Sequence, residues 1–230
     1  MCGFLHHGWT DMIKHDKRRC VTKYGRLYVG VTSAMKMVKE LLGEPPDSYG
    51  PPALSRIHCM EGTACHAVTL DWLAAQHKWI PSFEPPAWPK DHGDERRWNN
   101  VMHAAQVGFQ EFVDQYEVVP IAIEAEGFSS AYGLVGHVDL LAELTWKKRR
   151  TSMLIDLKFV TALMASHSLQ LRCYSKLDNI KGVSRGLLYH ANRNTGEWKL
   201  QEVDLTVDLE DVAAVANAAR LYAWAEGKRG

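Results

Sequence analysis

Hydrophobic residues are spaced helically in the first half of the chain, and they alternate with polar residues through much of the second half. Before about residue 117, apolar positions recur every three to four residues, as on one face of a helix. Beyond that point they recur every second residue, as on one face of a strand. The predicted helices are 33–42, 54–79, 95–116, 166–178 and 208–227, and the predicted strands are 26–31, 118–128, 132–146, 152–160, 182–191 and 197–205.

The segments between these elements are typical of turns and caps. Thr32 and Ser33 are suited to cap the first helix, and the basic run KKRR at 147–150 is suited to a hairpin turn. The last two strands are predicted to pair as a hairpin across NRNTG. The order of elements predicts an α/β fold, with a mixed sheet covered by helices. Residues 1–25 lack periodicity and are predicted to form an N-terminal arm before a single domain, 26–230.

Composition excludes several classes of protein. Of the 230 residues, 46% are hydrophobic and 23% are charged, which is typical of a globular domain and not of a disordered chain. No apolar run approaches the roughly 18 residues that a membrane helix needs. Five scattered cysteines and a charged amino terminus favour reduced thiols and no secretion signal. We therefore expect a cytoplasmic protein that does not bind membranes.

Charge is distributed unevenly along the chain although the net charge is zero. Residues 40–146 contain sixteen acidic and five basic residues, whereas residues 147–199 contain eleven basic and three acidic residues. Alternating solvated faces explain such a distribution in many proteins. The alternative is a basic flank that contacts phosphates beside an acidic site that binds cations.

Two neighbouring predicted strands carry acidic residues where apolar ones would be expected. Asp156 and Lys158 are two residues apart on a strand, so they project from the same face. Asp139 lies in the middle of the preceding strand, where an unpaired carboxylate is costly. If the two strands pair as an antiparallel hairpin, Asp139 and Asp156 become neighbours. By itself, an Asp-x-Lys pair is more often an ion pair at a sheet edge.

Two crowded carboxylates repel each other unless a cation neutralises them. Oxygen ligands of this kind suit Mg²⁺ or Mn²⁺, and Lys158 is placed to orient a water or to stabilise charge developing on a phosphate. His66, on the second helix, is either a metal ligand or a core histidine. Gln170 and Tyr174 share a face of the helix that follows the Asp-x-Lys strand, where a surface Gln beside a half-buried Tyr is the alternative.

Four elements in this order form a recognisable set, listed here as Gly-Thr-x-x-His66, Gly-x-x-Asp139, Asp156-x-Lys158 and Gln170-x-x-x-Tyr174. This set resembles the RecB-like, phage-type exonuclease branch of the PD-(D/E)XK nuclease superfamily. The resemblance spans about residues 26–180. It implies a restriction-endonuclease-like core with a mixed central sheet flanked by helices, and a metal-dependent deoxyribonuclease, most often an exonuclease of phage recombination, DNA repair or DNA processing.

The resemblance also implies a role for individual residues. His66, Asp139, Asp156 and the backbone carbonyl of Leu157 would hold one or two Mg²⁺ or Mn²⁺ ions. Asp139, Asp156, Lys158 and Glu124 would form the catalytic set, where Glu124 matches an acidic position of phage-type members. The residues that would contact DNA are Gln170, Tyr174, Arg172, Lys176 and, at the entry to the first helix, Ser33.

The sequence departs from these relatives in ways that narrow the expectation. Many relatives carry four cysteines for an iron–sulphur cluster, but the last cysteine here is Cys173, so no such cluster is expected. No Walker A motif is present, so the expected substrate is linear DNA with a free end, with a single-strand annealing or recombination protein as a compatible partner. The resemblance leaves the oligomeric state open.

Two other functions are consistent with the same residues. The first is a catalytically silent nuclease fold that holds DNA or a protein partner. The second is a metal-dependent hydrolase of another class, with His137 and Asp139 as ligands on one strand face. The complete set of acids and lysine favours the nuclease, because a protein that only binds has no need for a desolvated pair of acids.

Overall fold

The computed structural model describes residues 14–15, 20–23, 26–41, 43, 52–79, 88, 94–207 and 209–227. Within them the chain forms a mixed α/β fold. The helices are α1 (Val31–Leu41), α2 (Pro52–Gln76), α3 (Glu95–Tyr116), α4 (Ala165–Tyr174) and α5 (Leu209–Gly227). The strands are β1 (Lys14–His15), β2 (Cys20–Lys23), β3 (Arg26–Gly30), β4 (Val119–Ser129), β5 (Leu134–Trp146), β6 (Arg149–Lys158), β7 (Arg185–Ala191) and β8 (Trp198–Asp204).

The described strands form one eight-stranded sheet in the order β1-β2-β3-β5-β6-β7-β8, with β4 paired to β5 off this path. Most neighbouring strands are antiparallel, but β3 pairs with β5 and β6 pairs with β7 in parallel. The crossover from β6 to β7 contains α4, as a parallel connection requires. The sheet is therefore mixed, as the sequence predicts, and the carboxyl ends of β6 and β7 lie at the same edge.

Each face of the sheet carries its own hydrophobic core. On one face, Phe109 and Phe112 of α3 and Leu70 of α2 pack against Ile155 and Leu157 of β6. On the other face, α1, α4 and α5 cover the sheet with side chains that pack around Leu154 and Leu188; these helix residues include Ala34, Leu171, Tyr174, Val212 and Val215. The alternation of Leu154, Ile155, Asp156 and Leu157 therefore places Ile155 and Leu157 toward the α2–α3 layer.

The hairpin between β5 and β6 confirms the predicted turn and narrows it. The strands pair antiparallel from Leu140 opposite Ile155 to Trp146 opposite Arg149. Lys147 and Lys148 alone form the turn, both with positive φ, of 49° and 66°. A two-residue turn of this kind matches the right-handed twist of its strands. Its register brings Asp139 and Asp156 to adjacent positions, as predicted.

The start of the first helix and the N-terminal arm differ from the prediction. Helix α1 begins at Val31, so Thr32 and Ser33 lie in its first turn and do not precede it as caps. In the N-terminal arm, β1 and β2 pair with each other, and β2 pairs with β3; these strands are too short for a period of two to be detected. No helix among the described residues has the length and apolarity to cross a membrane.

Candidate metal centre

The candidate metal centre lies where the ladder of hydrogen bonds along one edge of strand β5 is interrupted. β3 pairs only with the first two residues of β5, Leu134 and Val135, and the β5–β6 ladder stops at Leu140. Between these points, β4 borders one edge of β5, and the described ladders leave the other edge free. At this interruption the Leu157 backbone N–H donates to Oδ2 of Asp139 at 2.7 Å, in place of a ladder bond.

Strands β4 and β5 are both irregular beside this interruption. Glu124, which falls between the β4 residues that pair with Val138 and Leu140, has a φ of 48°. Val138 packs into the core under α1 and α4, whereas Leu140 packs into the core under α2 and α3. Residues two apart on a regular strand share a face, so β5 changes face at Asp139. The regular alternation expected of a strand is therefore broken at Asp139.

Glu124, Asp139 and His66 come together at this point. A ligand atom from each lies within 4.8 Å of the ligand atoms of the other two. Nδ1 of His66 is 3.5 Å from Oδ2 of Asp139. His66 reaches the strands from α2, and the edge of its ring lies against Phe159, with centroids 5.4 Å apart. Three residues far apart in sequence thus form a compact set of nitrogen and oxygen donors.

The protonation equilibria of these groups suit a cation. Burial, aided by the charge of Lys158, lowers the pKa of His66 to about 4, so its imidazole is neutral and has a lone pair to donate. Burial and the neighbouring Asp139 raise the pKa of Glu124 to about 7. Burial also raises the pKa of Asp139, although Lys158 opposes the effect. Crowded carboxyls with raised pKa values are stabilised as anions when a cation joins them.

Asp156 and Lys158 form a second pair beside this cluster. Nζ of Lys158 is 2.7 Å from Oδ2 of Asp156, and the two side chains are 14% and 2% exposed. Burial, reinforced by repulsion from Asp139, raises the pKa of Asp156 to about 6, and Lys158 limits the rise. Among the described residues, the compact donor cluster contains Glu124 and not Asp156. The predicted ligand role of Asp156 and of the Leu157 carbonyl stays a prediction.

Tyr174 closes the centre on the side of α4. Nε2 of Gln170 donates to the Tyr174 hydroxyl at 2.8 Å, and the Thr32 side chain also hydrogen-bonds this hydroxyl. The ring lies directly over Gly136, where an added Cβ would be 2.6 Å from Cε1 of Tyr174. Burial, together with Asp156 and Asp139, raises the pKa of Tyr174, so the hydroxyl stays protonated. The Gln-x-x-x-Tyr helix thereby joins α1 and β5 beside the two aspartates.

The other predicted DNA contacts lie in different surroundings. Arg172 binds Asp211 at 3.2 Å, and Lys176 donates to the Leu205 carbonyl at 3.1 Å, so both basic side chains have partners at the α5 end. Ser33 is buried in α1. The side chain of His137 is 55% exposed and lies 4.0 Å from Glu126, outside the compact cluster. None of these four residues belongs to the described donor set.

Sequence reasoning missed two supporting residues and placed a third differently. Thr32 was interpreted as a cap, but its side chain instead contacts Tyr174. Phe159 alternates with Lys158 along β6, which places it toward α2 and against His66; that alternation was the available signal. Glu124 was predicted as a catalytic acid, and in the structure it joins the potential ligands, because its positive φ is invisible in the sequence.

The donor set fits a divalent cation. It combines two carboxyls whose pKa values are raised with one imidazole whose pKa is lowered, and all three are partly or largely shielded from water. Carboxylate oxygens dominate the set, as Mg²⁺ and Mn²⁺ prefer, and the imidazole is more typical of Mn²⁺ or another transition ion. The cluster could therefore hold a metal ion, and the identity of that ion as Mg²⁺ or Mn²⁺ stays a prediction.

Comparison with known proteins adds little to this geometry. No family model matches the chain, and no curated protein matches it. One solved structure that is similar, described as "Crystal structure of SSO0001", is 12% identical, with 84% of each chain covered and a TM-score of 0.35. Similarity at this level carries no argument about the fold family or the activity.

Proposed function

We propose that this protein is a metal-dependent deoxyribonuclease of the PD-(D/E)XK superfamily with a restriction-endonuclease-like core. The observation that carries the proposal is the convergence of His66, Glu124 and Asp139 beside the Asp156–Lys158 pair. These residues come from α2 and three different strands. Four ionisable groups and a lysine at an interruption of the ladder do not help to stabilise a sheet, and such a cluster is typical of a functional site.

His66, Glu124 and Asp139 would hold a Mg²⁺ or Mn²⁺ ion. When bound, such an ion polarises the scissile phosphate and lowers the pKa of a coordinated water. The protein groups supply the orientation. The Leu157 N–H fixes one oxygen of Asp139, and the ring of Phe159 packs against the His66 ring.

Lys158 would act on the attacking water or on the phosphate. Its side chain is largely shielded, and its ammonium group is held by Asp156 at 2.7 Å. A positive charge fixed in a partly dry site stabilises developing negative charge without reorganisation in the transition state. The nearby hydroxyl of Tyr174, held by Gln170, keeps α4 against this site.

The proposed substrate is linear DNA, with exonucleolytic digestion in recombination, repair or DNA processing. The test is a digestion assay on end-labelled linear duplex and single-stranded DNA, with Mg²⁺, with Mn²⁺ and with a chelator. We expect degradation that requires the metal and leaves closed circular DNA intact. Tight DNA binding without cleavage in either metal would instead favour a catalytically silent DNA-binding module. If the protein neither binds nor cleaves DNA, a role on DNA is rejected.

A further inference from the structure

A buried glutamate near the candidate metal centre holds two arginines. The side chain of Glu61, on α2, is 0% exposed. Its Oε1 accepts from Nε of Arg97 at 3.3 Å and lies 3.2 Å from Nη2 of the same guanidinium group. Its Oε2 lies 3.2 Å from Nε of Arg193. One carboxylate thus joins α2 to the start of α3 and to the turn between β7 and β8.

This cluster carries more positive than negative charge. Two guanidinium groups share the single carboxylate of Glu61, and each guanidinium has five N–H donors. The side chain of Arg97 is 48% exposed, so part of its donor fork faces solvent. Burial lowers the pKa of His58, the charges of Arg193 and Arg97 lower it further, and Glu61 opposes them. The side chain of Arg193 is only 11% exposed and its Nη1 donates to the His58 carbonyl at 3.5 Å, so the N–H groups that face solvent are mainly those of Arg97.

The backbone around Arg193 is held firmly. A Cβ at Gly196 would lie 2.5 Å from the Ala104 carbonyl oxygen of α3, and a Cβ at Gly108 would lie 2.2 Å from the Gly196 carbonyl oxygen. Only glycines allow the hairpin turn to approach α3 so closely. The turn that presents Arg193 is consequently fixed against the same helix that presents Arg97 near its amino terminus.

The cluster lies at the edge of the sheet that carries the candidate metal centre. β6 and β7 run parallel, with Lys158 in register with His190. Arg193 is three residues beyond His190, which is about 10 Å of chain at most. Successive phosphates of a strand advance about 3.4 Å along a duplex axis. Arg193 and Arg97 are therefore within a few nucleotides of a phosphate placed at Lys158.

A second cluster, in which one glutamate also pairs with two basic side chains, lies at the opposite end of the strands. Glu202 accepts from Lys147 and from Arg185, each at 2.6 Å. Arg185 begins β7, and Lys147 lies in the β5–β6 turn, so this cluster is at the end of the sheet away from Lys158. The Glu202 carboxylate is also partly exposed to water, whereas Glu61 is fully buried. The opposite cluster provides an internal control for a charge effect alone.

We propose that Arg97, held by Glu61 beside the nearly buried Arg193, forms a binding site for a backbone phosphate of the DNA strand next to the scissile one. The buried carboxylate orients the Arg97 guanidinium group in advance, which reduces the entropy lost on binding a phosphate. This inference rests on the proposed function, since it assigns to the same substrate a second point of contact. It predicts that the site contributes to DNA binding whether or not cleavage follows.

The test measures DNA affinity as a function of salt, with a chelator present so that no cleavage occurs. Binding of a labelled 20-nucleotide single strand and of a duplex is followed by fluorescence anisotropy between about 50 and 200 mM KCl. The variants are Arg97→Gln, Arg97→Lys and, as the matched control, Arg185→Gln. A thermal melt of each variant shows whether its fold is retained.

Loss of one phosphate contact reduces the slope of log affinity against log salt by about 0.7 for single strands and 0.9 for duplexes. We expect this reduction in Arg97→Gln, little change in Arg97→Lys, and the wild-type slope in Arg185→Gln. The same slope in Arg97→Gln and wild type, or equal losses in Arg97→Gln and Arg185→Gln, would overturn the site. DNA binding with the expected slopes but no cleavage would reject the nuclease and keep the phosphate site. Absence of DNA binding by the wild type would reject both.

Discussion

At the scale of single residues, the candidate metal centre contains Glu124, whose backbone conformation and carboxyl pKa both differ from their usual values. Glu124 adopts a left-handed φ of 48° on a strand, a conformation that costs a non-glycine residue about 1–2 kcal/mol. Its carboxyl group is also partly buried beside Asp139, which raises its pKa to about 7. Strain and a raised pKa at one residue are typical of a functional site.

The raised pKa of Glu124 predicts how stability depends on pH in the metal-free protein. Its pKa in the folded state, about 7, is above the usual value of 4.5, so the folded state binds the proton more tightly than the unfolded state does. The stabilisation is full below about pH 4.5 and is lost as the pH rises through 7. Replacing Glu124 with Gln should remove this dependence and raise the free energy of unfolding at pH 8 by on the order of 2 kcal/mol.

Urea unfolding at pH 5 and pH 8 with a chelator measures this effect, and Glu126→Gln, an exposed change two residues along β4, is the control. Glu124→Gln should also weaken Mn²⁺ binding, because it removes an anionic ligand. A Glu124→Gln protein that keeps both the wild-type pH dependence and the wild-type metal affinity would exclude Glu124 from the centre.

Lys158 provides a second prediction at this scale. Replacing Lys158 with Ala removes the charge that partners Asp156 at 2.7 Å and should reduce the rate of DNA cleavage by at least about a hundredfold. Mn²⁺ binding should persist, since the three clustered donors remain. Cleavage kinetics and Mn²⁺ titration separate the two effects. Lys148→Ala, in the exposed β5–β6 turn, is the control, and cleavage by Lys158→Ala at the wild-type rate would contradict the mechanism.

At the scale of elements, α4 is placed by its contact with β5. The Tyr174 ring occupies the space above Gly136, and its hydroxyl bonds to Gln170 of its own helix and to Thr32 of α1. The group that approaches the Gly136 backbone in the structure is an aromatic ring of this chain.

Gly136→Ala should therefore disturb the contact between β5 and α4. The added Cβ would lie 2.6 Å from a rigid ring, so the ring or the strand must shift, at a cost of about 1–3 kcal/mol. DNA cleavage should fall as well, because Tyr174 lies beside Asp139 and Asp156. Thermal and urea unfolding give the stability, and digestion of linear DNA gives the activity.

Gly62→Ala is the matched control for this change. Gly62 lies inside α2, and a Cβ there meets no atom within 4 Å. Alanine favours a helix over glycine by about 1 kcal/mol, so this variant should be as stable as the wild type or more stable. Equal stability of Gly136→Ala and Gly62→Ala would mean that α4 does not depend on close contact at Gly136.

At the scale of the whole molecule, the candidate centre connects elements that belong to different layers. His66 belongs to α2, which covers one face of the sheet, and Tyr174 belongs to α4, which covers the other. Glu124 and Asp139 lie between these layers on β4 and β5. A cation bound to His66, Glu124 and Asp139 would link helix α2 to strands β4 and β5, which are distant from that helix in the sequence.

Metal binding should consequently stabilise the whole fold. A ligand at 100 times its Kd stabilises the folded state by about 2.7 kcal/mol, which corresponds to a rise in Tm of about 5–10 °C for a chain of this size. Differential scanning fluorimetry with Mn²⁺ should show this rise, and a chelator should reverse it. Asp139→Asn should abolish the rise, whereas Glu143→Gln, on the exposed face of β5, should retain it. A rise of equal size in both variants would place the ion elsewhere.

The sequence by itself determined the elements and the identity of most acidic residues in the centre. The spacing of hydrophobic residues predicted α3 at Glu95–Tyr116 and the β5–β6 hairpin. Both features depend on residues that are close in sequence, within adjacent helical turns or adjacent strands. The same alternation placed Asp156 and Lys158 together and put Asp139 next to Asp156 across the turn. Local periodicity carries this information because side-chain direction follows directly from backbone geometry.

Only the tertiary structure decided which of these residues meet at one point. The left-handed backbone at Glu124, the change of face at Asp139 and the approach of His66 from α2 all depend on packing between segments distant in sequence. The same holds for Arg97 and Arg193, which are 96 positions apart and meet at one buried glutamate. Long-range contacts form when the layers close, and residue spacing along the chain contains no signal of them.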